Sequence, residues 1–232
     1  MEDTLAELAL AAVFFLATHV GMSSTPIRAA LVGVLSEKGF FAIYSLVTFA
    51  TMGWMIVAYG RAPDLVLWEM GAPLRWLAFV VSLVSCLLLA TGLSPHNPTL
   101  GPLVPETTTA AGPVGIFKVT RHPLMWAIGL WGLAHGAVRG DGASAILFGS
   151  FAVLALAGTA LIDAKKKRLL GATWETYANG SSNVPFAAIM AGRARVGLGE
   201  IGYLRLVLGL VVFVVLVVGH EWAIGTSPLP QY

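Results

Sequence analysis

Apolar residues run along this chain in stretches too long and unbroken for alternating strands or for ordinary amphipathic helices. A helix crossing a bilayer needs about 20 mostly apolar residues. Six windows meet that length, at residues 5–23, 40–60, 74–92, 122–138, 143–164 and 203–222. Three longer links separate them: 24–39, polar and containing Pro26; 93–121, rich in Pro, Gly and Thr; and 165–202, which opens on Lys165, Lys166, Lys167 and Arg168. The other connections are short, and Arg139-Gly140-Asp141-Gly142 reads as a tight helical-hairpin turn. There is no heptad pattern and no internal repeat. The expected fold is an all-α polytopic membrane bundle of about six helices, one domain over residues 1–232.

Composition agrees. Of 232 residues, 57% are apolar and 11% charged, against roughly 25% charged in soluble domains. So little charge cannot coat a water-soluble surface, and the mean hydropathy of +0.80 points the same way. A net charge of +2 argues for no nucleic-acid partner. The single Cys86 excludes an internal disulfide and a cysteine-based zinc site, and reads as a buried thiol. Eleven of the 14 basic residues (Arg28, Lys38, Lys118, Arg121, Lys165, Lys166, Lys167, Arg168, Arg193, Arg195 and Arg205) fall on one side of the six-span topology. Arg61, Arg75 and Arg139 fall on the other. Cytoplasmic loops retain Lys and Arg, so both termini are expected on the non-cytoplasmic side of a bacterial inner membrane. Glu2, Asp3 and Glu7 stand where a secretion signal would carry positive charge, so the first window reads as a mature helix.

Ionisable side chains within membrane helices are functional candidates by default. His19 and His135 lie well inside their windows, whereas His122 opens the fourth, His96 lies in a link and His220 ends the sixth. Asp163 and Glu69, near helix ends, read as interfacial or paired carboxylates or as functional groups. His122 and His135 are thirteen positions apart, which turns them about 140° from each other on a helix, so they cannot share a site. The face of His135 also carries Gly132 and Trp131, and a glycine beside an imidazole would leave a slot for a flat group. That arrangement is consistent with an imidazole-held haem. It is also consistent with a histidine hydrogen-bonded to the next helix, as satisfied intramembrane histidines commonly are.

His19 is the candidate second metal ligand. Counted from Arg28 and Arg121, His19 and His135 lie about 13 Å and about 21 Å from the basic rim, a mismatch of about 8 Å that a tilted macrocycle would absorb. A helix break near Ser23, Ser24 and Pro26 would enlarge it. Arg121 and His122 at the rim suit a propionate, another cofactor or a lipid phosphate. The run Lys165 to Arg168 suits an anchor at anionic lipid heads, or a grip on a propionate or phosphate.

Several runs taken together resemble one family. They are Lys118-Val119-Thr120-Arg121-His122-Pro123-Leu124-Met125-Trp126, Leu133-Ala134-His135, Asp163-Ala164-Lys165-Lys166-Lys167-Arg168 and Val184-Pro185-Phe186-Ala187-Ala188-Ile189. Tyr44-Ser45-Leu46-Val47, Asn97-Pro98-Thr99 and Gly225-Thr226-Ser227-Pro228 extend the likeness over nearly the whole chain. The order of these pieces is similar to that of the NnrU family of bacterial membrane proteins. The resemblance implies a link to denitrification and nitric oxide metabolism. It also implies likeness to 15-cis-ζ-carotene isomerase, a membrane haem b protein whose axial histidines match His19 and His135. Where that isomerase carries a cysteine three residues before its second ligand, this chain has Gly132, and its histidine-rich stretch is here Leu154-Ala155-Leu156-Ala157.

Arg121-His122-Pro123, with Gly171-Ala172-Thr173-Trp174-Glu175-Thr176-Tyr177 and Val184-Pro185, also resembles isoprenylcysteine methyltransferases and sterol reductases. In those enzymes an Arg-His-Pro segment helps enclose a nucleotide-like cofactor at the cytoplasmic surface. This chain has no paired glutamates after the hairpin; Lys165 to Arg168 stand there instead.

The function expected from these signals is a haem b protein of nitrogen-oxide metabolism with a redox, sensing or electron-transfer role, ligated by His19 and His135 and serving a nitrogen-oxide reductase system. The alternatives are a membrane isomerase of polyenes, a methyltransferase-like enzyme and a haem-free assembly factor.

Overall fold

The computed structural model describes residues 5–99 and 109–229, and in them the chain is helical without a named strand. The middle of the 93–121 link, with Glu2 and Asp3, lies outside the described residues. The described helices, in order, are α1 (Leu5–Ser23), α2 (Thr25–Arg61), α3 (Ala72–Gly92), α4 (Ile116–Val119), α5 (Pro123–Arg139), α6 (Gly142–Leu170), α7 (Ala172–Asn179), α8 (Ala187–Met190), α9 (Leu198–Ile201) and α10 (Tyr203–Ile224). Five of them, α1, α2, α3, α6 and α10, are long and apolar enough to span a membrane. The sixth expected span, α5, has 17 residues, or about 25 Å, at the short end of spanning length.

Prolines start α2, α3 and α5 in their first turns, where a missing N–H leaves no helical bond unmade. The sequence reading fails in two places. Residues 24–39 were expected as a link, but helix resumes at Thr25 and runs to Arg61. At 37 residues it would extend about 55 Å if straight, nearly twice the hydrocarbon thickness. Ser36, with φ 65° and ψ 168°, breaks it. Arg28 reaches across that break to Glu37 at 2.6 Å and lies over the ring of Phe40. The second failure is α6, which continues beyond residue 164 through the basic run to Leu170.

The packing alternates as the topology requires. Leu5 lies against Gly142, so α1 and α6 start at the same end. There the α2–α3 link pairs with the α5–α6 turn: Leu67 and Trp68 donate backbone N–H groups to the Gly140 carbonyl at 2.8 and 3.1 Å, and Gly142 N–H reaches Leu65 at 2.9 Å. A Cβ on Gly140, in the left-handed region at φ 66°, would stand 2.1 Å from the Trp68 carbonyl oxygen, so only glycine fits. Asp141 then caps α6 by accepting from Ser144 N–H at 2.7 Å and from its hydroxyl at 2.8 Å. Arg139 stands at this end, and Arg121 and the basic run stand at the other, called the basic end below.

In the centre, α5 lies against both α3 and α6. Gly129, Gly132 and Gly136 all turn toward α6, a small-residue seam that lets two backbones approach. By contrast α10 packs through Gly209 onto Cys86 and Leu87 of α3 and otherwise exposes Val, Leu and Ile side chains to lipid. Cys86 is a buried free thiol, as expected.

Candidate functional site

At the basic end, Thr120-Arg121-His122 forms a turn between α4 and α5, held against the segment after α7. Arg121 N–H donates to the Ser182 carbonyl at 2.9 Å, and Phe186 N–H donates to Val119 at 2.8 Å. The Asn183 carbonyl accepts from the Thr120 hydroxyl at 2.6 Å and from the Trp126 indole at 2.8 Å. These bonds hold Arg121 and His122 beside Asp163, which rises from the last turns of α6.

Asp163 is the hub. One oxygen accepts from Arg121 Nε at 2.9 Å and pairs with His122 Nε2 at 2.7 Å; the other accepts from Arg121 Nη2 at 2.5 Å. The Asn183 amide reaches the second oxygen at 3.5 Å and the Thr159 hydroxyl at 2.9 Å. A carboxylate near the end of a membrane helix thus has a guanidinium and an imidazole on its lone pairs, the pairing that makes partial burial of charge tolerable. His122 is wholly buried and its Nδ1 meets no partner among the described residues. The Tyr177 hydroxyl is also buried without a partner among those residues, with its ring stacked on Trp174 at 5.4 Å between centroids. Burial pushes the Tyr177 phenol up from its ordinary value, and the nearby Arg121 charge opposes that only in part.

Beside this network opens a cleft of about 420 Å³. Arg121, Asp163, Ala164 and Lys167 form one wall, α7 contributes Trp174, Glu175, Ala178 and Asn179, and Arg193 closes the edge. Its volume is in the range of small-molecule sites. The paired-carboxylate reading of Asp163 holds, and Arg121 and His122 stand together with it. Two parts of the expectation change: His122 is interior and engaged with Asp163, and of the basic run Lys167 lines the cleft and pairs with Glu175 at 3.0 Å. Sequence reasoning missed Asn183 and Thr159, whose signal was only a position beside Val184-Pro185 and on the helix turn before Asp163. It also missed Arg193.

The other expected residues lie elsewhere. His19 Nδ1 lies 2.9 Å from the Phe15 carbonyl and His135 Nδ1 lies 2.9 Å from the Trp131 carbonyl, the tether that in metal sites frees Nε2 for ligation. The two rings are nevertheless not brought together. From His19 the ring contacts pass to Phe15, on to Phe151 of α6, then to Trp131 and only then to His135. His19 also meets Tyr44, whereas His135 meets Phe148. α1 and α5 are antiparallel, so the backbones of the two histidines lie one turn beyond the Phe151 layer in opposite directions while each side chain leans back toward its own helix N-terminus, and no ring contact joins the two among the described residues. Nor does Gly132 leave a slot: a Cβ there would stand 2.7 Å from the Phe148 carbonyl oxygen and 3.3 Å from the Ala152 methyl, so the space is filled by α6. Among the described residues no group of three or more His, Cys, Asp or Glu side chains converges on a metal position.

Comparison with curated proteins gives no match, and comparison with solved structures gives none either. The family model described as "NnrU protein" matches residues 7–228, from the first turn of α1 to beyond the end of α10. This membrane-spanning chain therefore belongs to the NnrU family.

Proposed function

We propose that this NnrU protein works in the cytoplasmic membrane of a denitrifying bacterium by binding a small molecule in the cleft beside Asp163, as a component of nitrogen-oxide metabolism. One observation carries the reading. Asp163 is fixed from two sides by Arg121 and His122, and a cleft of about 420 Å³ opens against that fixed surface. A charge network merely anchoring helices would need no adjoining space. A binding site needs both, because rigid polar groups give orientation and a concavity gives contact area. The positive-inside rule puts the basic end at the cytoplasm, where a soluble metabolite or a reductase partner has access. The denitrification link comes from family membership.

The test is complementation. In a denitrifying strain lacking this protein, wild type and Asp163→Asn are expressed to equal membrane levels and nitric oxide consumption is followed during anaerobic growth on nitrate. The variant is expected to fail where wild type restores consumption. Full restoration by a variant that accumulates normally would overturn the cleft as the working site.

A further inference from the structure

The charges lining the cleft do not cancel, and the imbalance indicates what enters. Three cations line it, Arg121, Lys167 and Arg193, against two carboxylates, Asp163 and Glu175. Arg121 is matched by Asp163, and Lys167 by Glu175. Arg193 has no carboxylate partner among the described residues. Its Nη1 donates to the backbone carbonyls of Asn179 and Ser181, which orient the guanidinium without neutralising it. A guanidinium so oriented, at the edge of a concavity, is suited to a carboxylate or phosphate, because its planar fork matches two oxygens of an oxyanion. The remaining lining is Ala164, Ala178 and Asn179, with little of Trp174, which is 2% exposed and stacked on Tyr177. The two alanine methyls offer contact to a small apolar body.

We propose that the cleft takes an oxyanion-bearing molecule with a small apolar body, the oxyanion on Arg193 and the body against Ala164 and Ala178. The inference rests on the cleft being the working site and adds the class of its ligand. The oxyanion has two sources at this depth, a soluble metabolite or the headgroup of an anionic lipid.

Binding is measured calorimetrically on the full chain in phosphatidylcholine nanodiscs with three probes: benzoate, its neutral isostere benzamide, and phenyl phosphate. Benzoate and phenyl phosphate are expected to bind at least tenfold more tightly than benzamide, and to weaken as salt rises, whereas benzamide does not respond to salt. Arg193→Gln should remove the preference for the anions and leave benzamide binding unchanged, which also shows the cleft intact. If that variant misfolds, the wild-type preference and its salt dependence decide alone. Equal affinity for benzoate and benzamide would overturn the inference and leave the cleft as a binding site. Binding of none of the probes would overturn both. Repeating the titration in phosphatidylglycerol nanodiscs separates the sources: a tenfold loss of phenyl phosphate affinity there identifies a lipid headgroup as the competing occupant, and unchanged affinity identifies a soluble one.

Discussion

Replacing Asp163 by asparagine keeps the shape of the hub and removes its charge. In the native protein the carboxylate accepts from Arg121 through two nitrogens and pairs with His122, and the three side chains are 19%, 14% and 0% exposed. Asparagine leaves the mostly buried guanidinium without a counter-ion and turns an amide N–H toward the imidazole or toward Asn183. Breaking a buried pair from one side costs about 3–5 kcal/mol, and the residual exposure of Asp163 puts the loss near the lower value, about 3 kcal/mol. That is a roughly hundredfold shift in the unfolding equilibrium. Titration of micelle-solubilised protein with a denaturing detergent, read by helicity, measures it. The double variant Arg121→Met with Asp163→Leu removes both charges together, so it should lose less than the sum of the single losses. A single-variant loss below about 0.5 kcal/mol, the size of an ordinary surface substitution, would refute the claim that this network is buried and mutually satisfied.

Three further outcomes follow from other parts of the molecule. Gly132→Ala gains up to about 1 kcal/mol of helix propensity, but its methyl meets backbone of α6, where overpacking costs about 1–3 kcal/mol; a net loss is expected, whereas Gly149→Ala, with open space around it, should be neutral or stabilising in the same denaturation assay. Asp141→Ala should cost about 1–2 kcal/mol through loss of the α6 cap. Burial raises the Asp141 carboxyl, but the Ser144 N–H and hydroxyl and Arg139 outweigh burial and hold it below its ordinary 3.8. Its contribution is therefore complete above that value and fades as pH falls through the lower folded value, and the variant should lack that acid-dependent step in an unfolding series. If His19 and His135 share an iron, protein purified from haem-replete cells shows a Soret band that His19→Ala and His135→Ala each abolish; a band retained in either variant refutes that ligand pair.

The spans were legible because hydropathy windows measure what lipid demands, and the end of α1 at Ser23 falls where its window ends. The α2 extension was not, because Ser24, Pro26, Ser36, Glu37 and Lys38 look like a link, and only a break at one residue lets helix occupy most of it. The end of α6 was missed for a related reason: a helix leaving the hydrocarbon loses its apolar signature at Lys165 while its backbone bonds continue. At the site, Arg121 and His122 stood out as ionisable groups beside a proline, but their shared partner is about forty residues away. Asn183 is a neutral residue in an irregular segment, invisible until folding places it. The depths of His19 and His135 could be counted along the sequence, but depth says nothing of what stands beside them; Phe151, on a third helix, touches the neighbouring Phe15 and Trp131.

The main-chain pairing of residues 65–68 with residues 140–142 bears on how the protein is made. During synthesis the connection after α2 must reach the far side of the membrane well before its partner turn exists, so the amides of Leu67 and Trp68 remain bonded to water until the α5–α6 hairpin has been delivered across. Closure of that rim is thus a late event in biogenesis. A ribosome stalled before residue 140 should leave the 62–71 segment open to an externally added protease, and release past α6 should close it.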